Sequence, residues 1–124
     1  TGEPLVHKKM PDICAGAKLA GLDYAFTTNG VLMLGKNSLP KQGLLGATWI
    51  KVSLNAGTRD GYAAVHRTDV KDWDMVWDAI KVMVKMRNTT GSKTTIGVQC
   101  VILPENAYDM WNLANLCIEA EWII

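Results

Sequence analysis

The apolar residues of this chain keep two periods in alternation, and that limits the possible folds more than any other feature. In TWIKVSL (48–54), Ile50, Val52 and Leu54 fall on one face and Trp49, Lys51 and Ser53 on the other, the period of a strand. Further on, Val70, Trp73, Trp77, Ile80 and Val84 recur at helical steps, with Asp69 as N-cap, Asp72 in the first turn and Gly91 past the end. At this spacing Trp73 and Trp77 read as core residues rather than a ligand-stacking pair. Upstream, Pro11 suits a first helical position and Asp12 the positive end of the dipole; Ile13, Ala17 and Ala20 form the stripe, stopped by Gly21. LDYAFTT (22–28) reads as a strand closed by the Asn29-Gly30 turn, and a short helix is expected over 39–45. TTIGVQCVILP (94–104) reads as a buried strand bounded by Pro104. Asn106 is expected to cap a last helix, with Asp109 in its first turn, Met110, Ala114 and Cys117 inside, and Trp111 and Ile118 flanking. TGEP (1–4) reads as the stub of an earlier strand and EWII (121–124) as the start of a later one. Such alternation predicts right-handed βαβ units, a parallel sheet and one α/β domain over 1–124.

Composition narrows the function classes. A chain of 124 residues, 48% hydrophobic and 20% charged, has the length and make-up to bury a core. Its net charge of +1 gives no electrostatic case for nucleic acid or an acidic membrane, and His7-Lys8-Lys9 reads as a solvated turn. Cys14, Cys100 and Cys117 are odd in number and far apart, without CxxC or metal-ligand spacing. Reduced thiols in the cytoplasm are expected. No apolar run approaches the roughly 18 residues of a membrane span, and the opening residues do not read as a signal peptide.

In parallel α/β sheets ligands bind at the carboxyl ends of the strands. Those ends here carry Gly2, Glu3 and Pro4; Thr27, Thr28 and Asn29; Ser53 and Asn55; and Glu105 with Asn106. His66 and Arg67 are expected in a loop after Asn55. Strand alternation puts Lys51, Ser53 and Asn55 on the face away from the helices, which suits the interior of a barrel. The plainer reading of these Ser, Asn and Thr residues is that they make turns.

In series, "TGEPLVHKKMPDICAGAKLAGLDYAFTTNGVLM", "WIKVSLNAGTRDGYAAVHRT" and "TTIGVQCVILPEN" resemble the radical S-adenosylmethionine (radical SAM) enzymes, closest to the branch with peptide- and cofactor-maturing members. "GEP" is similar to the end of the family's GGEP motif, with Thr1 in place of the first Gly. "TTNG" and "SLNAG…VHR" resemble two later strand-end segments, with Asn55 where the family usually has Asp. The resemblance implies a partial TIM-like (βα) barrel, of which this chain would be a fragment. It implies that Gly2, Glu3 and Pro4 line the SAM amino group, with Asn29 and Thr27 or Thr28 beside it, Thr28 being the one taken as a contact. Ser53 and Asn55 would approach the ribose or carboxylate, Arg67 would pair with the carboxylate, and Gln99 and Val101 would lie near the adenine. A guanidinium suits a carboxylate bidentately. The family's 4Fe–4S cluster is held by a CxxxCxxC loop that this chain does not contain, so no cluster is expected on this chain alone. The whole enzyme would form a 5′-deoxyadenosyl radical that takes hydrogen from a substrate the sequence does not identify. Open sheet edges in such a fragment suggest self-association. The alternatives are a stand-alone α/β module binding SAM or a nucleotide-like ligand without redox chemistry, and an α/β domain with no ligand.

Overall fold

The alternating stretch is the middle of the sheet. The computed structural model describes residues 2–35 and 41–121. In it β2 (Trp49–Ser53) pairs parallel with β1 (Phe26–Thr28) on one side and β3 (Thr95–Gln99) on the other, giving the order β1-β2-β3. The register sets Phe26 beside Ile50 and Ser53 beside Gln99. Five helices complete the described α/β fold: α1 (Met10–Leu19), α2 (Lys41–Leu45), α3 (Arg59–His66), α4 (Val70–Thr90) and α5 (Met110–Glu121).

Parity decides which face is covered. Phe26, Thr28, Ile50, Val52 and Leu54 are buried, whereas Thr27 and Lys51 are exposed. The buried face meets α4, whose Val76, Trp77, Ala79, Ile80, Met83 and Val84 are buried in turn. Gly30 marks how closely these layers approach. With φ +82°, it occupies a spot where a Cβ would lie 2.9 Å from Val52 Cγ1 and 3.0 Å from Val76 Cγ1. Thr27, Lys51, Thr95 and Gln99 are exposed on the opposite face. There the Lys51 ammonium sits 4.5 Å from the Trp49 ring centroid.

The α4 signals hold: Asp69 accepts from the Lys71 amide, and Gly91 closes the helix at φ 70°. Elsewhere the structure corrects the sequence reading. In α1 the buried residue is Cys14, and Ile13 is 51% exposed. TGEP is no strand among the described residues: Pro4–Val6 form a 3₁₀ turn capped by Glu3. His66 and Arg67 are not in a loop, since His66 ends α3 and Arg67 is its C-cap. The last strand stops at Gln99, and Val101, Ile102 and Leu103 leave it exposed. Asn106 precedes a 3₁₀ turn (Ala107–Asp109) but makes no side-chain cap bond to it. Leu113 and Ala120, not Ala114, are the buried residues of α5, and Trp111 is 76% exposed. Of EWII, Glu121 belongs to α5, and the strand expected to follow lies outside the described residues.

Candidate functional site

Two knots of hydrogen bonds shape the carboxyl-end rim. The first holds the N-terminal turn against β1. Glu3 Oε1 accepts from the Leu5 amide at 3.1 Å and the Thr28 hydroxyl at 2.6 Å, while Oε2 accepts from the Asn29 amide at 2.7 Å. Thr28 Oγ1 then accepts from the Gly30 amide and Asn29 Oδ1 from the Val31 amide, at 3.1 and 3.0 Å. Glu3, Thr28 and Asn29 are thus brought together as expected, with their hydrogen-bonding capacity turned largely on one another. Gly2 and Pro4 stand beside them, lining a cavity of about 310 Å³ with Met10, Cys14, Tyr24 and Phe26 along the outer side of β1.

The second knot ties the ends of β2 and β3. Asn55 has left the strand and takes a left-handed conformation at φ 56°, which Asn tolerates better than most residues. The alternation that places Lys51 and Ser53 on the open face therefore does not extend to Asn55. Its Oδ1 accepts from the Val101 amide at 2.8 Å. The buried Asn106 completes the knot: its Nδ2 donates to Asn55 O and Val101 O, each at 2.9 Å, and its Oδ1 accepts from the Leu103 amide at 2.7 Å. Beside it Asp109 Oδ2 accepts from the Gly57 amide at 3.1 Å and the Thr58 hydroxyl at 2.9 Å. Asp109 Oδ1 is buried with no partner among the described residues.

Asn106 does not make the cap bond expected of it, while Asp109 lies in the first turn as expected and its carboxylate serves Gly57 and Thr58. The short polar α3 was missed, although Thr58 with Asp60 in the first turn is an N-terminal signal; Thr58 accepts from the Gly61 amide at 3.1 Å. The last residue of α3 returns toward β2, where His66 Nε2 bonds Leu54 O at 2.7 Å. A carbonyl only accepts, so the ring carries a proton on Nε2. His66 stacks on Tyr62 with centroids 4.3 Å apart, and Tyr62–Trp73 and Trp73–Trp77 continue the row at 5.7 Å each. Trp77 belongs to the buried core and Trp73 packs against it half-buried.

Three candidate side chains remain outside both knots. Ser53 and Gln99 are cross-strand neighbours on the open face, and Arg67 is exposed at φ 53° on the α3 C-cap; none has a side-chain hydrogen bond or ion pair among the described residues. Among the described residues no three of His, Cys, Asp and Glu converge to hold a metal ion, and no helix is long and apolar enough to cross a membrane.

Burial raises the pKa of all three thiols; for Cys14 a smaller opposing pull comes from its bond to Tyr24. Two results follow. Thiol labelling of the native protein near pH 8 should be slower than that of the urea-unfolded chain. As pH rises through the ordinary thiol value of 9.0, the unfolded chain loses protons before the native one, so stability should fall. Urea midpoints at about pH 8 and about pH 10 check the sign; an unchanged midpoint would refute it.

No family model matches the chain, and no curated protein matches it in sequence.

Proposed function

We propose that this α/β unit is the middle of a radical SAM-type (βα) barrel and that its carboxyl-end rim binds S-adenosylmethionine. One observation carries the reading: a polar sheet face lies open between two outer strands, each with an apolar cavity beside it. The cavity by β1 holds Phe26 and Cys14, and the one by β3 holds Ile96, Val98 and Cys117. Closing a barrel would place a neighbouring strand over each cavity and turn Thr27, Lys51, Ser53 and Gln99 inward.

On this reading the Glu3 carboxylate fixes the turn that presents Gly2 and Pro4 to the SAM amino group, beside Thr28 and Asn29. Ser53 and Gln99 offer uncommitted polar groups to the ribose and adenine. Asn55 holds Val101 by its amide, so these two act by shaping the adenine side of the rim. Arg67 pairs with the carboxylate. Cys14, Cys100 and Cys117 do not converge with one another or with other ligands among the described residues, so no role in holding a 4Fe–4S cluster is proposed for them. Cluster chemistry, formation of the 5′-deoxyadenosyl radical and hydrogen abstraction from substrate therefore belong to the whole enzyme. The same uncommitted side chains also favour a second reading, a binding module that holds SAM without cleaving it.

Thermal unfolding tests the shared premise. A ligand at about a hundred times its Kd stabilises the native state by about 2.7 kcal/mol, so saturating SAM should raise Tm by several degrees. Arg67→Ala should abolish most of that rise while leaving the unliganded Tm nearly unchanged, because the side chain is exposed and unpaired. Absence of any rise would overturn both readings. A full rise in Arg67→Ala would remove the carboxylate assignment alone.

A further inference from the structure

We infer that the groove between α4 and α5 binds a small organic ammonium that carries a hydrogen-bond acceptor. The inference does not depend on SAM binding at the rim. The groove has a volume of about 380 Å³, within the range of small-ligand sites. Two adjoining rows of α4 line it. Trp73 and Trp77, four residues apart, form the inner row, and Asp74 and Asp78, one residue further on, form the outer one. From α5, Leu116 and Ala120 complete the apolar wall, with Glu119 beside them.

The aromatic rings, the charges and one buried donor each select the ligand. The two indoles meet edge to face, with centroids 5.7 Å apart and planes at 67°, so the pair that packs on the core also makes a corner in the groove wall. An ammonium against such rings is attracted by their quadrupoles. The charges agree. Arg59 holds Asp74 by both oxygens, at 2.6 and 2.7 Å, whereas Asp78 and Glu119 are exposed and make no ion pair among the described residues. Against those two uncommitted carboxylates stands one ammonium, that of Lys81, likewise without an ion pair among the described residues. The surplus is negative and disfavours an anion. Trp77 asks for the acceptor: it is 5% exposed, it lines the groove, and its indole N–H has no hydrogen-bond partner among the described residues. A buried donor left unpaired is costly, so a ligand oxygen that reaches it gains a bond the protein does not make with itself. A hydroxyl or carbonyl a few bonds from the ammonium meets both requirements.

Titration of the full chain, followed by NMR at the tryptophan indole N–H signals, tests this with three related probes. Choline carries the charge and a hydroxyl, tetramethylammonium the charge alone, and 3,3-dimethylbutan-1-ol the hydroxyl on a neutral frame of the same shape as choline. Choline should shift the Trp73 and Trp77 signals saturably and move the Trp77 N–H downfield as it gains an acceptor. Tetramethylammonium should shift Trp73 and leave the Trp77 N–H in place. The neutral alcohol should bind at least about tenfold more weakly than choline. Replacing the two free carboxylates together (D78N, E119Q) should weaken choline by a similar factor. Absence of a saturable shift with choline, equal binding of the neutral alcohol, or shifts that sodium chloride at the same concentration reproduces would each overturn the inference. Choline and tetramethylammonium moving the Trp77 N–H equally would overturn the acceptor assignment.

Discussion

Gly57→Ala is expected to cost at least about 3 kcal/mol, enough to leave a small domain partly unfolded. The reason is backbone, not side chain. A Cβ at this buried position would stand 2.0 Å from Asp109 O, 2.8 Å from Leu113 N and 3.0 Å from Asn112 Cβ. Flexible side chains can swing away from such contacts, but a carbonyl at the entrance of α5 cannot. Relief requires moving the first turn of α5 off the end of β2. That movement would also strain the Gly57 amide bond to Asp109 Oδ2 and pull Leu113 from the core. Gly16→Ala supplies the contrast: its Cβ meets nothing within 4 Å, and it lies inside α1. There the better helix former should add about 0.5–1 kcal/mol. Urea titration of both variants measures the two effects; a loss below about 1 kcal/mol at Gly57 would refute the close approach of α5.

Asn106→Ala should have the second largest effect, a loss of about 2–4 kcal/mol. Alanine removes one donor group serving two carbonyls and one acceptor serving an amide, all at a buried site. The orphaned partners belong to Asn55, Val101 and Leu103, so the damage falls on the β2–β3 end of the rim. Asn106→Asp separates the contributions: it keeps the acceptor for Leu103 and sets an oxygen against two carbonyl oxygens. It should be at least as damaging as alanine. Exchange at the Leu103 amide should accelerate in the alanine variant and stay slower in the aspartate one. If Asn106→Ala melts like the parent protein, the knot is not what holds the rim.

The most legible elements are those whose burial is decided by their own periodicity. Ile50, Val52 and Leu54 alternate because the sheet has one covered face, and the α4 stripe runs long enough to define its side. The carboxyl-end rim is legible as a set of strand-end residues, and Glu3, Thr28 and Asn29 do meet. What resists reading is set by distant partners. Val101-Ile102-Leu103 look like more strand, but Asn55 and Asn106 capture the backbone there and lead it off the sheet. Asp109 is a first-turn acid, and its carboxylate serves Gly57 and Thr58, 52 and 51 residues away in the chain. Ile13 and Cys14 are adjacent, and a ten-residue helix with small residues leaves the choice between them to whatever it packs on. A short α3 carries too few apolar residues to announce itself by period, so only its cap could have revealed it.

The crossover from β2 to β3 has a kinetic meaning. Two helices, α3 and α4, intervene between strands that lie side by side. Closing so long a loop adds little to the equilibrium cost, because chain entropy grows only with the logarithm of length, but it delays the encounter. The Tyr62–Trp73–Trp77 stack links those helices through neighbours close in sequence, so their collapse can precede strand zippering. The helical hairpin then acts as the tether that brings the third strand to its place.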